Sequence, residues 1–217
     1  MQVKDLSTPL MKGRMGNLIY YVRNGKQCVR RVAIPGKKRK WEEEGRTTKQ
    51  KTVTGRFAIV QAFYSKYSEC ISPEIWRLAA REERRMAPNL FNSVNSHCFS
   101  GDGELIDFEK FRFTQGCLVL PRKIRMEQKG KYYRITWEEE RNLETAAPTD
   151  RLCVGVLYAG YPLAPRLALE TSGVRADLYG EFRLDETMGK EAHVYCFFAR
   201  ENETAFSESC YFKIDIE

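Results

Sequence analysis

Two histidines, His97 and His193, are the side chains best suited to acid–base chemistry near neutral pH. His193 lies in a run with the alternation of a strand, and His97 lies at an Asn- and Ser-rich helix end. The local sequence places no activated nucleophile beside either one. We therefore predict structural roles for both, no catalytic residues, and a protein that is not an enzyme. An enzyme is the third hypothesis, and it would require one histidine to lie in a pocket within hydrogen-bond reach of Ser, Asp or Cys.

Candidate ligands for a metal ion are also sparse. His97-Cys98 would need a second ligand pair to form a zinc site. The Gly101-Asp102-Gly103-Glu104 segment lacks the carboxylate spacing of a calcium loop and fits a tight turn. No glycine pattern for binding a nucleotide phosphate is present. The sequence thus predicts neither a metal ion nor another cofactor.

Seven cysteines are spread along the chain without ligand spacing: Cys28, Cys70, Cys98, Cys117, Cys153, Cys196 and Cys210. Most lie in apolar runs, which is typical of buried reduced thiols in a cytosolic protein. Cys196 and Cys210 could face each other across a hairpin, and a disulfide between them is the alternative. No run approaches the roughly 18 apolar residues of a membrane span, and residues 1–10 lack the pattern of a signal peptide. We expect a cytoplasmic protein, or one assembled in a particle, that makes no membrane contact.

Positive charge is concentrated in the first quarter of the chain. Residues 1–56 contain 15 Lys or Arg and 4 Asp or Glu, whereas residues 57–217 contain 21 and 25. Such asymmetry indicates an acidic partner for the basic part, whether nucleic acid, an anionic surface or another protein. The composition, with 42% hydrophobic and 12% aromatic residues, is that of a globular protein.

A β-hairpin is predicted inside this basic quarter. Two β-prone runs, residues 18–23 and 26–32, flank Asn24-Gly25, the strongest short-range signal for a type I′ turn. Counting outward from the turn places Arg23 opposite Lys26, Tyr21 opposite Cys28 and Ile19 opposite Arg30. Neither face is cleanly apolar, and a two-stranded ribbon is marginal in water. The ribbon therefore needs a surface to lie on, or its cations simply extend into solvent.

A run of four cations beside an aromatic residue follows the ribbon, at residues 37–41. This combination suits phosphate contacts with a base stacked on the tryptophan, and the alternative is a solvated linker. The candidate binding residues for nucleic acid or another partner are Arg23, Lys26, Arg30, Arg31, Lys37, Lys38, Arg39 and Lys40, with Tyr20, Tyr21 and Trp41 as aromatic contacts.

The middle of the chain has helical periodicity. Residues 43–68 carry Val53, Phe57, Val60, Phe63, Tyr64 and Tyr67 on one predicted packing face. Ser72-Pro73 predicts the start of a second helix that runs toward Arg85. Pro88 is expected to interrupt it before a short third helix that reaches Cys98.

The last hundred residues have the alternation of β-strands. Seven strands are predicted, over residues 117–126, 132–137, 152–158, 163–169, 176–184, 193–199 and 206–214. Residues 193–199 are apolar on both faces, as an interior strand requires. In the partner strand, Phe206, Cys210 and Ile214 are predicted to share one face.

Strands of this length without intervening helices match an antiparallel immunoglobulin- or fibronectin-like sandwich, with Trp137 in its core. The predicted class is therefore α+β. The predicted parts are a basic arm with a β-hairpin (residues 1–42), a helical region (43–110) and a seven-stranded β-sandwich domain (111–217).

The chain resembles an uncharacterised family of unknown function that is common in Bacteroidota. The resemblance rests on GNLIYYVRNGKQCVRR (residues 16–31), FTQGCLVL (113–120), YYRITW (132–137), DRLCVGVLY (150–158) and HVYCFFARENETAFSESCYF (193–212). It implies a shared architecture, a basic ribbon followed by helices and a β-sandwich, and no chemistry. The basic run at residues 37–40 and the acidic patch at 42–44 are particular to this sequence.

Two functional hypotheses follow. In the first, the protein is a non-catalytic structural or adaptor protein whose basic ribbon docks on another protein or on further copies in a larger, phage-like assembly. In the second, the basic arm binds nucleic acid, with affinity that weakens steeply as salt is added.

Overall fold

The computed structural model describes residues 11–23, 25–33, 45, 47–138 and 145–216. The chain divides into two compact units, Met1–Thr48 and Lys49–Glu217. Over the described ranges the structure contains three α-helices and three antiparallel sheets. The predicted α+β class is therefore confirmed.

The amino-terminal unit contains a three-stranded antiparallel sheet in the order β1-β2-β3. Its strands are β1 (Gly13–Met15), β2 (Leu18–Arg23) and β3 (Lys26–Arg31). The predicted register of β2 and β3 is confirmed, with Arg23 opposite Lys26. The sequence also predicts an irregular arm over residues 1–15, and for β1 this prediction is wrong. Gly16 has a φ of 57°, which glycine accepts without strain, and the turn it forms brings β1 back against β2.

Three helices begin the carboxyl-terminal part of the chain: α1 (Thr48–Cys70), α2 (Glu74–Glu82) and α3 (Ala87–Asn95). Helix α1 buries Val60, Phe63, Tyr64 and Tyr67, but Val53 and Phe57 of its predicted packing face are exposed. At the start of α2, the Ser72 hydroxyl accepts a hydrogen bond from the Glu74 amide at 3.2 Å.

Pro88 lies in the first turn of α3 and does not end a helix as predicted. A proline is accommodated there because the first amides of a helix have no intrahelical acceptor. Among the helices that the structure describes, none is long and apolar enough to cross a lipid bilayer.

Two four-stranded antiparallel sheets follow in the described part of the carboxyl-terminal unit. One has the order β11-β10-β6-β7 and the other the order β4-β5-β9-β8. The strands are β4 (Arg122–Lys129), β5 (Tyr132–Glu138), β6 (Arg151–Tyr158), β7 (Arg166–Leu167), β8 (Leu169–Ser172), β9 (Tyr179–Arg183), β10 (Glu191–Ala199) and β11 (Cys210–Asp215). These are eight strands in the described ranges, where seven were predicted. The strand predicted over residues 163–169 is divided in two, because the chain leaves one sheet and enters the other near Ala168.

Buried side chains from both four-stranded sheets meet in one core. Ile135 and Trp137 of β5 contribute from one sheet, and Val154 and Val194 contribute from the other. Trp137 is 5% exposed, so its predicted place in the core is confirmed.

A second core lies between the helices and the other face of the β11-β10-β6-β7 sheet. Tyr67 and Trp76 of the helices belong to the same buried cluster as Tyr195 and Phe197 of β10. Strand β10 is thus buried on both faces, as its sequence predicts. We call this layer the helix-covered sheet and β4-β5-β9-β8 the solvated sheet.

Phe113 joins the helices to the helix-covered sheet. Its ring centroid lies 5.1 Å from that of Tyr67 and 5.2 Å from that of Tyr195. A Cβ atom at Gly155 would lie 2.2 Å from the Phe113 ring, so glycine is required on the strand beneath it. The structure therefore groups the region predicted as helical (43–110) and the region predicted as a β-sandwich (111–217) mostly in one compact unit.

The carboxyl-terminal hairpin departs from the predicted alternation at Ser207. Phe198 donates its amide hydrogen to the Ser207 hydroxyl, and the Ser207 amide donates to the Phe198 carbonyl. Phe206 consequently belongs to the core on the helix side, so its predicted place beside Ile214 is wrong. Cys196 and Cys210 are directly opposed across the hairpin, and both are free thiols.

Candidate functional site

One face of the amino-terminal sheet collects most of the cations of that sheet. Paired residues in neighbouring strands point to the same side, and successive residues alternate between sides. The pairing therefore places the following side chains on one face, which we call the cationic face: Arg14, Ile19, Tyr21, Arg23, Lys26, Cys28 and Arg30.

The cations of this face lie at its two ends. Arg23 and Lys26 are paired next to the hairpin turn, and Arg14 and Arg30 flank Ile19 at the far end. With a rise of about 3.3 Å per residue, the two ends are separated by about 13 Å. Arg14, Arg23, Lys26 and Arg30 are all exposed.

Tyr21 occupies the middle of the cationic face, opposite Cys28. Its side chain is 37% exposed, while Ile19 and Cys28 beside it are half-buried. The face therefore presents an aromatic ring between two pairs of cations. This arrangement can bind anionic groups at its ends and a flat apolar group at its centre.

The opposite face of the sheet is mainly apolar. It carries Met15, Leu18, Tyr20, Val22, Gln27, Val29 and Arg31. The structure thus separates the predicted binding residues, because Tyr20 and Arg31 lie on the reverse side from Tyr21 and Arg30. Gln27 crosses this face: its amide nitrogen donates to the Met11 carbonyl at 2.9 Å, and its amide oxygen accepts from the Met11 amide at 2.7 Å. These bonds connect the residues before β1 with β3, across the face of β2.

The segment of the sequence that contains these cations has no acidic residue. Residues 6–41 contain 10 Lys or Arg and no Asp or Glu. Within the ranges that the structure describes, Arg14, Lys26, Arg30 and Arg31 form no ion pair with a carboxylate. Arg14 does donate from Nε to the Gly16 carbonyl at 3.1 Å, which holds its side chain over the turn.

On the solvated sheet, two arginines of the outer face are paired with carboxylates. Its outer face pairs Arg134 with Glu181 at 2.7 Å and Arg183 with Glu170 at 2.8 Å. Glu170 also accepts a hydrogen bond from the Tyr132 hydroxyl at 2.9 Å. Arg134 and Arg183 on that sheet are thus paired with carboxylates, whereas Arg14, Lys26 and Arg30 of the cationic face have no such pair among the described residues. The contrast selects the cationic face as the candidate functional site.

Five predicted binding residues, Lys37, Lys38, Arg39, Lys40 and Trp41, lie outside the described residues. Conversely, the sequence prediction missed Arg14, which β1 brings to the cationic face. Gly16-Asn17 is itself a turn signal between β-prone residues, and it could have revealed this strand.

The potential nucleophile beside His97 is the thiol of Cys98. His97 Nε2 lies 3.4 Å from Cys98 Sγ, within reach of a hydrogen bond. However, Cys98 is fully buried, and burial, with a smaller contribution from Asp107, raises the pKa of its thiol to about 12. A nucleophilic cysteine needs the opposite shift, because the thiolate is the reactive form.

His193 is enclosed in the second core. Its Nδ1 atom lies 2.9 Å from the Tyr211 hydroxyl oxygen, and its ring stacks on Phe108 with centroids 3.6 Å apart. Burial lowers the pKa of His193, and the nearby Glu191 carboxylate opposes this shift only in part. Across the described ranges, no group of three or more His, Cys, Asp or Glu side chains has the arrangement of a metal site.

Comparison with known proteins identifies no matching family model, no similar curated protein and no similar solved structure.

Proposed function

We propose that this protein is a non-catalytic structural or adaptor protein whose amino-terminal sheet docks on an anionic partner within a larger assembly. The observation that carries the proposal is the cationic face, on which the exposed side chains of Arg14, Lys26 and Arg30 form no ion pair with a carboxylate of the described residues. Unmatched cations on one surface attract an acidic surface and accelerate its association. The partner is another protein, further copies of this chain, or a nucleic acid carried in the same particle.

The two units have different roles in this proposal: the amino-terminal sheet binds the partner, and the carboxyl-terminal unit is the scaffold. The described residues of the amino-terminal sheet are exposed or half-buried, whereas the carboxyl-terminal unit has two buried cores. Such a unit serves as a rigid scaffold that presents the small basic sheet. The resemblance noted in the sequence is consistent with a shared architecture of this kind, a basic ribbon joined to a β-rich domain.

We further propose that the two four-stranded sheets form an immunoglobulin- or fibronectin-like sandwich. That fold has seven strands, A to G in chain order. One sheet has the strand order A-B-E-D, and the other contains C, F and G, with F in the middle. Taking β4 as the first strand and β7 as an additional strand beside the third gives the same order in both sheets.

The proposal is tested by isolating the untagged protein with its natural partners. We expect the double variant Lys26→Glu/Arg30→Glu to lose the assembly, measured as the sedimentation coefficient of the protein in a cell extract. The matched control is Arg125→Glu/Lys131→Glu, which places the same charge change on exposed positions of the scaffold unit. Retention of the assembly by the first variant, or its loss only in the control, would contradict the proposal.

Limited proteolysis provides a second test. Because no described residue in the 11–33 segment is fully buried, we expect a protease to cut the isolated protein between Met1 and Lys40 before it cuts the scaffold unit. Addition of the partner should protect these sites. Full protection in the isolated monomer would count against a docking role.

A further inference from the structure

Resting on the proposed function, we infer that the partner of the cationic face is single-stranded nucleic acid, with its phosphates on the cations at the two ends of the face and a base stacked on Tyr21. Three features of the face support this class of partner over a small anion, an acidic protein or duplex DNA. They are the separation of the cations, the aromatic ring between them, and the access that an exposed sheet face gives.

The separation of the cations indicates a polymer. Lys26 and Arg30 lie on the same strand and the same face, four residues and therefore about 13 Å apart. One phosphate or carboxylate cannot contact both ends of the face at hydrogen-bond distance. A chain that carries a charge on every repeating unit can contact both without bending. The cationic face thus suits an extended polyanion lying along β3.

The position of Tyr21 distinguishes nucleic acid from an acidic protein. The ring lies between the two ends of the cationic face and is 37% exposed, so part of it is accessible to a ligand. A base next to a bound phosphate can stack on such a ring, and stacking on aromatic side chains is tolerant of sequence. Acidic side chains of a protein offer no aromatic surface at the same spacing. An acidic segment would leave the ring without a function.

Access to the bases favours a single strand. In a duplex the bases are stacked on each other and only their edges are reached from the grooves. Proteins that use an aromatic sheet face bind unpaired bases, which can be splayed out on the strands. The absence of acidic residues over residues 6–41 keeps the potential positive along the whole path of the strand.

The test uses the full-length protein and a fluorescein-labelled oligothymidine of about 12 nucleotides, within the usual site size for such surfaces. Fluorescence anisotropy measures the dissociation constant as a function of salt. With three phosphate contacts, from Arg14, Lys26 and Arg30, we expect log K to fall with log salt at a slope of about −2. Replacing one cation, as in Arg30→Gln, should reduce the steepness of this slope by about 0.7.

Tyr21→Ala separates stacking from charge. It should weaken binding about 5- to 150-fold and leave the salt slope unchanged, because the phosphate contacts remain. Tyr21→Phe should bind like the wild type, since it retains the ring. Tyr20→Ala is the matched control on the opposite face and should have no effect on affinity. A Tyr21→Ala variant that binds as tightly as the wild type would overturn the stacking contact.

Competition experiments distinguish this inference from the proposed function. Polyglutamate should compete poorly and duplex DNA of the same sequence should bind more weakly than the single strand. Equal competition by polyglutamate, or no binding of the oligonucleotide at low salt, overturns the inference. If Lys26→Glu/Arg30→Glu still abolishes the natural assembly in that case, the proposed docking function stands with a protein partner. If the Lys26→Glu/Arg30→Glu protein still forms the natural assembly, the proposed function fails as well.

Discussion

His193 shows how the fold selects one protonation state of a single residue. Its ring is stacked on Phe108, Nδ1 faces the Tyr211 hydroxyl, and Nε2 lies 3.2 Å from Glu191, which also contacts Lys213 at 3.0 Å. Burial lowers the pKa of the imidazole because a charged ring loses its hydration there. The folded protein therefore contains neutral His193 at neutral pH.

This protonation state makes the stability of the protein dependent on pH. Because the pKa is lower in the folded state, the unfolded chain binds the proton first as the pH falls. We expect the free energy of unfolding to begin decreasing below about pH 6.5, the pKa of an unperturbed histidine. A hydrogen bond from Lys213 lowers the pKa of Glu191, and one from Lys110 lowers the pKa of Asp107. The loss of stability caused by protonating these carboxylates therefore begins only at lower pH, below about 4.5. Urea unfolding at a series of pH values between these limits measures the contribution of the histidine.

The variant His193→Gln provides the comparison for this measurement. Its free energy of unfolding should change less between neutral pH and about pH 5 than that of the wild type, whatever its absolute stability. His97→Gln makes the same substitution at an exposed histidine and is the matched control for loss of an imidazole. A His193→Gln protein with the same pH dependence as the wild type would show that the imidazole does not titrate differently on folding.

At the scale of elements, a buried carboxylate connects three parts of the carboxyl-terminal unit. Asp150, which precedes β6, lies 3.4 Å from Arg175 Nε and 3.0 Å from Arg200 Nε. Arg175 also donates to the Val119 carbonyl at 2.9 Å, and its guanidinium lies 4.5 Å from the centre of the Phe198 ring. The loop before β6, the turn before β9 and the end of β10 are thus fixed to one another by charge.

Removing the charge of Asp150 should be costly because its partner Arg175 is nearly fully buried. We expect Asp150→Asn to lower the free energy of unfolding by about 3–5 kcal/mol, since it leaves the nearly fully buried Arg175 without its counter-ion. The control Lys123→Gln breaks an exposed pair with Glu138 and should cost less than about 1 kcal/mol. Urea unfolding of both variants checks the difference. Equal effects would show that the Asp150 cluster contributes no more than a surface ion pair.

The sequence predicts an element well where the signal is local. Asn24-Gly25 determines both the turn and the register of β2 and β3, because a two-residue turn leaves one way to pair the flanking strands. The sequence predicts seven strands where the described structure has eight, because the division between β7 and β8 depends on which sheet each segment joins. Which sheet a segment joins is determined by tertiary contacts, which the local sequence pattern does not show.

Helix α1 and Arg14 show the limit of periodicity more directly. The spacing of Val53, Phe57 and Val60 shows that they share a helical face, but it does not show where along the helix the covering layer ends. In the structure Val60 is fully buried, while Val53 and Phe57 are 60% and 47% exposed. Similarly, the candidate site was predicted as a list of cations. Its division into two faces, and the addition of Arg14, required the third strand.

For the molecule as a whole, β10 explains why helices and sheets form a single unit. One face of this strand contributes Val194 and Phe198 to the core between the sheets, and the other contributes Tyr195 and Phe197 to the core beneath the helices. A strand that is apolar on both sides needs a layer on each. The two layers are therefore mutually dependent, although the sequence separates them into a helical and a β-rich region.

This dependence predicts where the chain can be divided. A fragment of residues 47–217 should unfold cooperatively at nearly the temperature of the full chain, because it keeps both cores. A fragment of residues 111–217 should not fold, since the loss of the helices exposes Leu157, Tyr195 and Phe197 on the helix-covered sheet. At about 1.5–3 kcal/mol for each large apolar side chain, these and their buried neighbours amount to most of the stability of an ordinary domain. Circular dichroism and thermal melting of the two fragments measure this, and a cooperative transition in residues 111–217 alone would show that the sheets are stable without the helical layer.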